Sequence, residues 1–524
     1  MCPTVTSHNE CEAARHFQQQ YKMKAGVLFF LSVLCHVNGG SELEVDLKKT
    51  KVYGPGLQPD QIVYPVRYFF IELYDIEGNR IQKSVGNSIT VQIEGETSHG
   101  IYCRKWTQVL DRFDGSYIAR YRTYQTCRDL TIHILYNNQH VAESPYKILH
   151  PVYSEDCYCP VGDIVKWQEL AGCPSSYPQI NQDLKNFHDV DFEIVLKEAI
   201  KRFNQAGSRS FCNYVIKDDK VYRKCYGQHV GFNMFMDNIL HSLLRKMSIP
   251  DVEFIINLGD WPLVNPKLKP LIPIFSWCGS EDTADIVMPT YDITEATLEM
   301  MGRVSLDILS VQSNNDIPWE QKKSQAFWRG RDSRQERLDL ITLARKHEHL
   351  INASLTNFFF FKDQEVEYGP KEKHISFFKF FDYKYQINID GTVAAYRLPY
   401  LLGGSSVVLK QDSPYYEFFY NDLEPYVHFI PFKRDLSNLI EKIEWARTND
   451  KKAQAIAQNG RQYVQENLMP KDVYCYHVTL LQEWSTRIKS KVDVREGMEF
   501  IPIKENEKRF GDCKCHRLNR HDEL

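Results

Sequence analysis

Four arginines stand within eleven residues, in the run FWRGRDSRQER that begins at Phe327. The chain as a whole carries a net charge of −4, so this positive charge is a local concentration. A guanidinium group stays charged and can hold two oxygens of a phosphate group at once. The run therefore predicts a phosphate-binding segment. Its arginines are Arg329, Arg331, Arg334 and Arg337.

The residues around these arginines also suit an anion. Gly330 lets a phosphate approach the backbone, and a helix is predicted over Glu336–Lys346, with its N-terminus toward the anion. A solvated basic turn, paired with Asp332 and Glu336, is the alternative interpretation of the same run.

One carboxylate is placed where it could act as a base. The apolar segment Val252–Leu258 predicts a buried strand, and Asp260 and Trp261 follow it after one glycine. Ligands of α/β proteins bind at the carboxyl ends of strands, and a carboxylate there can accept a proton from a hydroxyl group. Asp260 is therefore the candidate general base. An aspartate that only caps a turn is the alternative.

A segment of small residues runs from Gly391 to Ala395 and is followed by Arg397. Small side chains let a ligand approach the backbone, so the segment predicts a second phosphate cradle. It is neither a Walker nor a Rossmann fingerprint, and tight helix packing is the alternative.

Two weaker patterns bear on metal binding. Asp189 and Asp191 have the spacing of a metal-binding Asp-x-Asp motif, but they precede a helical pattern, which favours a capping role. Cysteine pairs at Cys157–Cys159 and Cys513–Cys515 are far apart in the chain, which favours disulfides over a shared metal. The sequence therefore predicts no metal site.

Alternating, β-rich segments dominate residues 41–151, and turn signals such as Asp114-Gly115 separate them. About 110 residues with this spacing predict an all-β, immunoglobulin-like sandwich. Three motifs occur along the segment, at Tyr53–Leu57, Asp114–Tyr117 and Gln139–Tyr146. With them the segment resembles the filamin-type immunoglobulin repeat, which implies a binding module or a structural spacer.

From Cys157 onward, strand-like apolar runs alternate with helical stretches, which predicts an α/β fold with parallel sheets. About 350 residues exceed one comfortable core. We therefore predict two α/β lobes separated by a cleft, over residues 152–320 and 321–504, and a charged tail over 505–524. The predicted helices include Asn233–Lys246, Glu336–Lys346, Leu436–Arg447 and Lys451–Asn467.

Both ends of the chain carry segments typical of targeting signals. The short apolar run Ala25–Val37 follows two lysines and precedes small residues, as in a signal peptide within residues 1–40. A signal anchor is the alternative, and Met23 is an alternative start. The last four residues spell HDEL, which the HDEL/KDEL receptor of the endoplasmic reticulum recognises. These residues are His521, Asp522, Glu523 and Leu524.

The sequence thus predicts a protein of the endoplasmic reticulum lumen with no membrane span, since no other apolar run approaches about 18 residues. Fourteen cysteines fit that oxidising compartment. Three of them lie in the leader, so an odd number remains and at least one thiol is free or paired elsewhere. Cys103 and Cys127 are a candidate disulfide within the β-rich segment, and Asn352 begins a predicted N-glycosylation sequon.

The predicted location in the endoplasmic reticulum limits which phosphate ligands the arginine run could bind. The lumen offers little nucleic acid, and the chain has no basic balance, so nucleic acid is not a predicted partner. A nucleotide-sugar diphosphate becomes the leading ligand class.

Ordered motifs occur between residues 155 and 500, at Asn257–Pro262, Pro273–Ser276, Trp328–Gly330 with Glu336-Arg337, Lys384–Arg397, Tyr415–Tyr420 and Tyr426–Pro431. Together they resemble the protein O-glucosyltransferases of glycosyltransferase family 90. With the filamin-type segment and the HDEL sequence, the chain is similar to the KDEL-motif-containing members of that family.

The resemblance implies a two-lobed GT-B-type fold and transfer of glucose, with inversion, from UDP-glucose to serine in folded EGF-like repeats, such as those of Notch-type receptors. It implies no metal or other cofactor. The catalytic base falls on Asp260, and Trp261 beside it is the predicted acceptor contact. The predicted donor contacts are Thr297, Arg329, Gly330, Arg331, Arg337, Thr392, Val393, Ala394, Ala395, Tyr396 and Arg397.

Two departures and two alternatives stay open. Arg331 stands where the family has a serine, and Thr297 is only a candidate for the sugar contact before Gly302-Arg303, so the choice between glucose and xylose is not settled. A xylosyltransferase acting on other acceptors is one alternative function. The other is a lumenal binding or folding factor, with the β-module as its working part beside a silent transferase domain.

Overall fold

Residues 44–151 fold as two facing antiparallel sheets in the computed structural model, which describes residues 44–205, 210–228, 231–298, 306–313, 316–503 and 513. The strands are β1 (Lys51–Tyr53), β2 (Arg67–Glu72), β3 (Ile89–Glu96), β4 (Lys105–Asp111), β5 (Ser116–Thr123), β6 (Arg128–Tyr136), β7 (Gln139–His140) and β8 (Tyr146–Lys147). One sheet has the order β1-β2-β5-β4, and in the other β6 pairs with β3, β7 and β8. The predicted sandwich is confirmed.

The strands β2 and β5 are buried on both faces, as the side chains of β2 show. Phe69 and Ile71 of β2 point into the core of the sandwich, whereas Tyr68 and Phe70 pack against the rest of the chain. The predicted turn at Gly115 has a φ of +79°, and a Cβ atom there would lie 2.0 Å from the carbonyl oxygen of Ile81, so only glycine fits. The predicted disulfide between Cys103 and Cys127 is confirmed.

The first α/β lobe has a mixed sheet with the order β14-β12-β11-β9-β10-β21. Its strands are β9 (Phe211–Lys217), β10 (Lys220–Tyr226), β11 (Val252–Asn257), β12 (Ile274–Ser276), β14 (Ile286–Val287) and β21 (Glu499–Ile501), and β13 (Gly279–Ser280) lies outside the sheet. Only β11, β12 and β14 are parallel. The predicted parallel pairing is confirmed for these three strands but not for the rest of the sheet, because Asp218 and Asp219, with φ of 50° and 57°, form a tight hairpin turn that makes β9 and β10 antiparallel.

Helices surround this sheet. They are α1 (Ile164–Ala171), α2 (Pro178–Leu184), α3 (Phe192–Phe203), α4 (Asn233–Leu244), α5 (Tyr291–Leu298), α6 (Ile308–Ser313) and α12 (Pro470–Ser485). The helix α12 packs against α1, α5 and β11, and the indole of its Trp484 donates to the carbonyl of Glu253 at 2.8 Å. The second lobe therefore does not extend to residue 504 as predicted, because α12 and β21 return to the first lobe.

The second lobe has a wholly parallel sheet with the order β16-β15-β17-β18-β20. Its strands are β15 (Lys323–Arg331), β16 (Ile351–Asn357), β17 (Tyr383–Asn388), β18 (Val407–Gln411) and β20 (Ile430–Phe432). Its helices are α7 (Gln335–Lys346), α8 (Glu365–Tyr368), α9 (Leu398–Gly403), α10 (Leu439–Thr448) and α11 (Asp450–Asn467). A short strand, β19 (Tyr415–Tyr416), pairs with β13 of the first lobe. The predicted architecture of two α/β lobes is confirmed.

Disulfides connect distant parts of the chain. Cys173 is bonded to Cys475, and Cys157 to Cys513. Cys212 is bonded to Cys225 across the β9–β10 hairpin. No helix in the described ranges is long and apolar enough to cross a bilayer.

Candidate active site

Asp260 lies beyond the carboxyl end of β11, on a turn that Asn257 folds. The amide nitrogen of Asn257 donates to the carbonyl of Trp261 at 2.6 Å and to the hydroxyl of Ser276 at 3.2 Å. Its oxygen accepts from the N–H of Gly259 at 2.9 Å. A buried amide thus bonds to both sides of Asp260 and fixes where its carboxylate projects.

A second buried carboxylate holds the loop that follows. Asp285 accepts from the N–H groups of Leu263 and Val264, both at 2.8 Å, and from the hydroxyl of Ser276 at 2.6 Å. Trp261, between these anchors, stays 40% exposed beside Asp260. An aromatic surface is therefore available next to the candidate base. Asp285 gave no sequence signal, because its partners come from other strands and loops.

The carboxylate of Asp260 accepts a hydrogen bond from the hydroxyl of Tyr291 at 3.3 Å. Burial raises the pKa of Asp260, while the Tyr291 hydroxyl and the charge of Arg331 act in the opposite direction. A carboxylate with a raised pKa is a stronger base than one at the surface. The environment of Asp260 therefore suits acceptance of a proton.

Tyr291 begins α5 and is held by aromatic neighbours. Its ring stacks on Phe235 with centroids 5.0 Å apart, and it meets the edges of Trp277 at 5.6 Å and Tyr396 at 5.5 Å. Tyr396 belongs to the second lobe, in the loop between β17 and α9. The tyrosine that orients Asp260 therefore also contacts the opposite lobe. Sequence reasoning missed Tyr291, which no motif distinguishes.

Arg337, on α7, is buried and bonds only to the chain around it. Its guanidinium donates to the carbonyls of Asp390 at 2.7 Å, Arg331 at 2.9 Å and Ile389 at 3.2 Å. A Cβ at Gly391 would lie 3.1 Å from its terminal nitrogen. Burial first, and then the charge of Arg397, lower the pKa of Arg337 to about 9. This arginine therefore joins the turn after β15 to the loop after β17.

Arg397 lies just before α9, and its guanidinium donates to the carbonyl of Arg329 at 2.6 Å. Burial, and also the charge of Arg331, lower the pKa of Arg397 to about 10. Arg331 itself is exposed at the end of β15. Within the described part of the chain, none of Arg331, Arg337 and Arg397 forms an ion pair with a carboxylate. The charge of Arg331 thus lowers the pKa values of both Arg337 and Arg397, whereas Asp390 acts in the opposite direction on Arg337 and Asp292 on Arg397. A bound anion would stabilise this concentration of positive charge.

These positions place the arginines and Asp260 at one site. The charge of Arg331 acts on Asp260 and Tyr291 of the first lobe as well as on Arg337 and Arg397 of the second. The carboxyl ends of both sheets therefore meet there, with a base on one side and positive charge on the other.

A model of glycosyl transferase family 90 matches residues 168–514. The chain belongs to glycosyl transferase family 90. The filamin/ABP280 repeat matches residues 44–147, which form the sandwich. Protein O-glucosyltransferase 2 of Danio rerio is 50% identical over 91% of this chain and 94% of its own length. Protein O-glucosyltransferase 3 of Homo sapiens is 45% identical over 91% of this chain and 94% of its own length. Protein O-glucosyltransferase 1 of Homo sapiens is 31% identical over 63% of this chain and 84% of its own length.

In this family 90 glycosyltransferase, the small-residue loop lies against the first lobe. Val393 and Ala394 pack on Cys278, a free and buried cysteine. The thiol of Cys278 donates to the carbonyl of Asp260 at 3.4 Å. The N–H of Gly391 donates to the carbonyl of Val393 at 2.9 Å, which closes the loop that continues to Arg397.

Three predicted residues have side chains engaged elsewhere. The guanidinium of Arg329 donates to the side-chain oxygen of Asn352 at 2.8 Å, so it is committed to β16. The amide of Asn352 donates in turn to the Tyr383 hydroxyl at 2.9 Å, which occupies the atom that a glycan would use. Thr297 is buried, and its hydroxyl donates to the carbonyl of Ile293 within α5 at 2.7 Å.

Asp191 is the N-terminal cap of α3, accepting from the N–H of Glu193 at 2.9 Å, so the capping interpretation is confirmed. The predicted leader, the HDEL residues, most of the charged tail and Gly302-Arg303 lie outside the described residues.

Proposed function

We propose that the protein transfers glucose from UDP-glucose to a serine hydroxyl of a folded EGF-like repeat, in the lumen of the endoplasmic reticulum. The observation that carries this proposal is the group of Arg331, Arg337 and Arg397, whose positive charges act on one another and meet Asp260 across the two lobes. The diphosphate of a sugar nucleotide would place negative charge beside these guanidinium groups.

The geometry supports a single displacement. Asp260 removes the proton from the serine hydroxyl as its oxygen attacks the anomeric carbon of glucose, and the bond to the UDP oxygen breaks. The leaving diphosphate gains negative charge beside the arginines, which stabilise it without moving. One displacement by one nucleophile inverts the anomeric carbon. In this mechanism the guanidinium groups take the role that a metal ion has in other transferases.

The acceptor and the location rest on other evidence. The relatives named above are protein O-glucosyltransferases, which favours glucose and a protein acceptor. The exposed ring of Trp261 beside Asp260 offers a surface for that protein. The HDEL sequence and the disulfides among the described residues favour an oxidising lumen, where the HDEL/KDEL receptor would return the protein.

The test uses the full chain, secreted and purified, with one folded EGF-like repeat and UDP-glucose or UDP-xylose in parallel. The intact mass of the repeat is read after incubation with wild type, Asp260→Asn and Asp191→Asn. We expect one added hexose with wild type and with Asp191→Asn, and none with Asp260→Asn, which still binds UDP. An added pentose would name xylose as the donor sugar instead.

Two results would overturn the proposal. Substantial transfer by Asp260→Asn would show that Asp260 is not the general base. UDP binding by wild type, without addition to any folded repeat, would favour the binding-factor alternative.

A further inference from the structure

The sandwich module is joined to the transferase by a buried ion pair. Arg120 of β5 is 2% exposed, and its guanidinium donates to the carboxylate of Asp307 at 3.1 Å. The same guanidinium donates to the hydroxyl of Ser310 at 3.1 Å and to the side chain of Gln108 at 2.9 Å. All three guanidinium nitrogens of Arg120 therefore donate hydrogen bonds, and two of the three acceptors belong to the transferase domain.

Asp307 is itself the start of α6. It is 1% exposed, and its carboxylate accepts from the N–H groups of Leu309 at 3.0 Å and Ser310 at 2.8 Å, which cap the helix. A buried carboxylate without a counter-charge is strongly unfavourable. Arg120 thus provides, from the module, the charge that allows α6 to begin at this position.

A second arginine of the module holds the other end of α6. Arg112, just after β4, donates to the side-chain oxygen of Gln312 at 2.8 Å. Arg461 of α11 donates to the carbonyl of Gln312 at 3.0 Å and to that of Arg112 at 3.3 Å. The module therefore fixes α6 at both of its ends.

The helix α6 supports two elements of the active site. It packs against α5, which begins with Tyr291, and against α9, which follows Arg397. The contact with α9 is close, because a Cβ at Gly403 would lie 3.1 Å from a methyl carbon of Val311. A displaced α6 would therefore carry both the tyrosine that orients Asp260 and the loop that carries Arg397.

We propose that the filamin-type module is a fixed part of the active site, with Arg120 and Arg112 as positioning residues. Through α6 they set the separation between Tyr291 on one lobe and Arg397 on the other. The module then acts on the transfer step and on donor binding, not as a separately tethered acceptor-binding unit. The inference rests on the proposed function for its donor and for its turnover assay.

The test compares full-length Arg120→Gln, Arg120→Lys and Arg112→Gln with wild type. Arg128→Gln is the matched control, since Arg128 also lies in the module, at the start of β6, and is exposed. For each protein, kcat, KM for the donor, KM for the EGF-like repeat and the Kd for UDP are measured. The measurements are made at a temperature where thermal unfolding shows every variant folded.

We expect Arg120→Gln to lower kcat about tenfold or more and to weaken UDP binding, with KM for the repeat unchanged. Arg120→Lys should recover part of the loss, because it keeps the charge. Arg112→Gln should lower kcat and UDP affinity by a smaller factor. If Arg120→Gln fails to fold, the Arg112→Gln result tests the inference in its place. The control should match wild type.

Two outcomes would overturn the inference. One is kcat and UDP affinity within twofold of wild type in folded Arg120→Gln or Arg112→Gln. The other is a rise in KM for the repeat alone, which would make the module an acceptor-binding unit. UDP affinity needs no acceptor, so a wrong acceptor assignment leaves this test standing.

Discussion

Replacing Asp332 with asparagine tests how the turn beside the arginines is held. Asp332 is fully buried and directly follows Arg331. One of its oxygens accepts from the N–H of Phe359 at 2.8 Å, and the other accepts from those of Phe360 at 2.9 Å and Phe361 at 2.6 Å. A single carboxylate therefore fixes the loop after β16 to the end of β15.

The magnitude follows from these three bonds. Asparagine has the same shape but one acceptor oxygen, so in its better orientation it serves Phe360 and Phe361 while its amide group faces the N–H of Phe359. A donor left without a partner costs about 1 to 3 kcal/mol, and two bonds that lose a charged acceptor weaken by about 1 kcal/mol each. Water reaches these partly buried amides and offsets part of the loss. We expect Asp332→Asn to lower the free energy of unfolding by about 3 kcal/mol.

The assay is urea unfolding of the full chain, together with hydrogen exchange of the amides of Phe359–Phe361. Asp339→Asn is the control, because Asp339 lies on the exposed side of α7 and bonds only to the Gln335 side chain, at 3.0 Å. Its effect should stay within about 0.5 kcal/mol. A loss below about 1 kcal/mol for Asp332→Asn, with loop exchange unchanged, would refute the reasoning.

Three further predictions concern the site and the chain that supports it. Tyr291→Phe removes a group that lowers the pKa of Asp260, so the pKa rises further and the acid limb of kcat/KM moves to higher pH; an unmoved limb would contradict the hydrogen bond. Full transfer is expected after treatment with EDTA, because in the proposed mechanism arginines stabilise the leaving diphosphate; a loss that manganese restores would show a metal role. Cys475→Ser should lower the free energy of unfolding by about 2 to 5 kcal/mol, measured by thermal unfolding, since it opens the bond to Cys173.

The architecture was predictable where local patterns decide it. Period-two alternation and the turn at Asp114-Gly115 indicated the sandwich, and apolar runs that alternate with helical stretches indicated the α/β lobes. The hairpin of β9 and β10 was missed, although Asp218-Asp219 between two β-rich runs is a turn signal of the right kind.

The site was less predictable, because its supports are tertiary. Asp260 and Arg397 could be nominated from strand ends and charge. Nothing local distinguishes Tyr291 from other buried tyrosines, and nothing local shows that Arg329 bonds to Asn352. The return of α12 to the first lobe also leaves no local pattern, since an amphipathic helix does not name the sheet it covers.

That return has a consequence for biosynthesis. The lobe that carries Asp260 takes its central helix, with the buried Trp484, and its edge strand, Glu499–Ile501, from a part of the chain more than 200 residues downstream. While the ribosome is still translating the second lobe, the first is exposed along the surfaces that these elements later cover. Folding of this lobe must therefore follow release of nearly the whole chain, and the bond between Cys173 and Cys475 marks its completion. A chain cut short before residue 470 would present open apolar surface to chaperones, so quality control can distinguish complete from truncated enzyme.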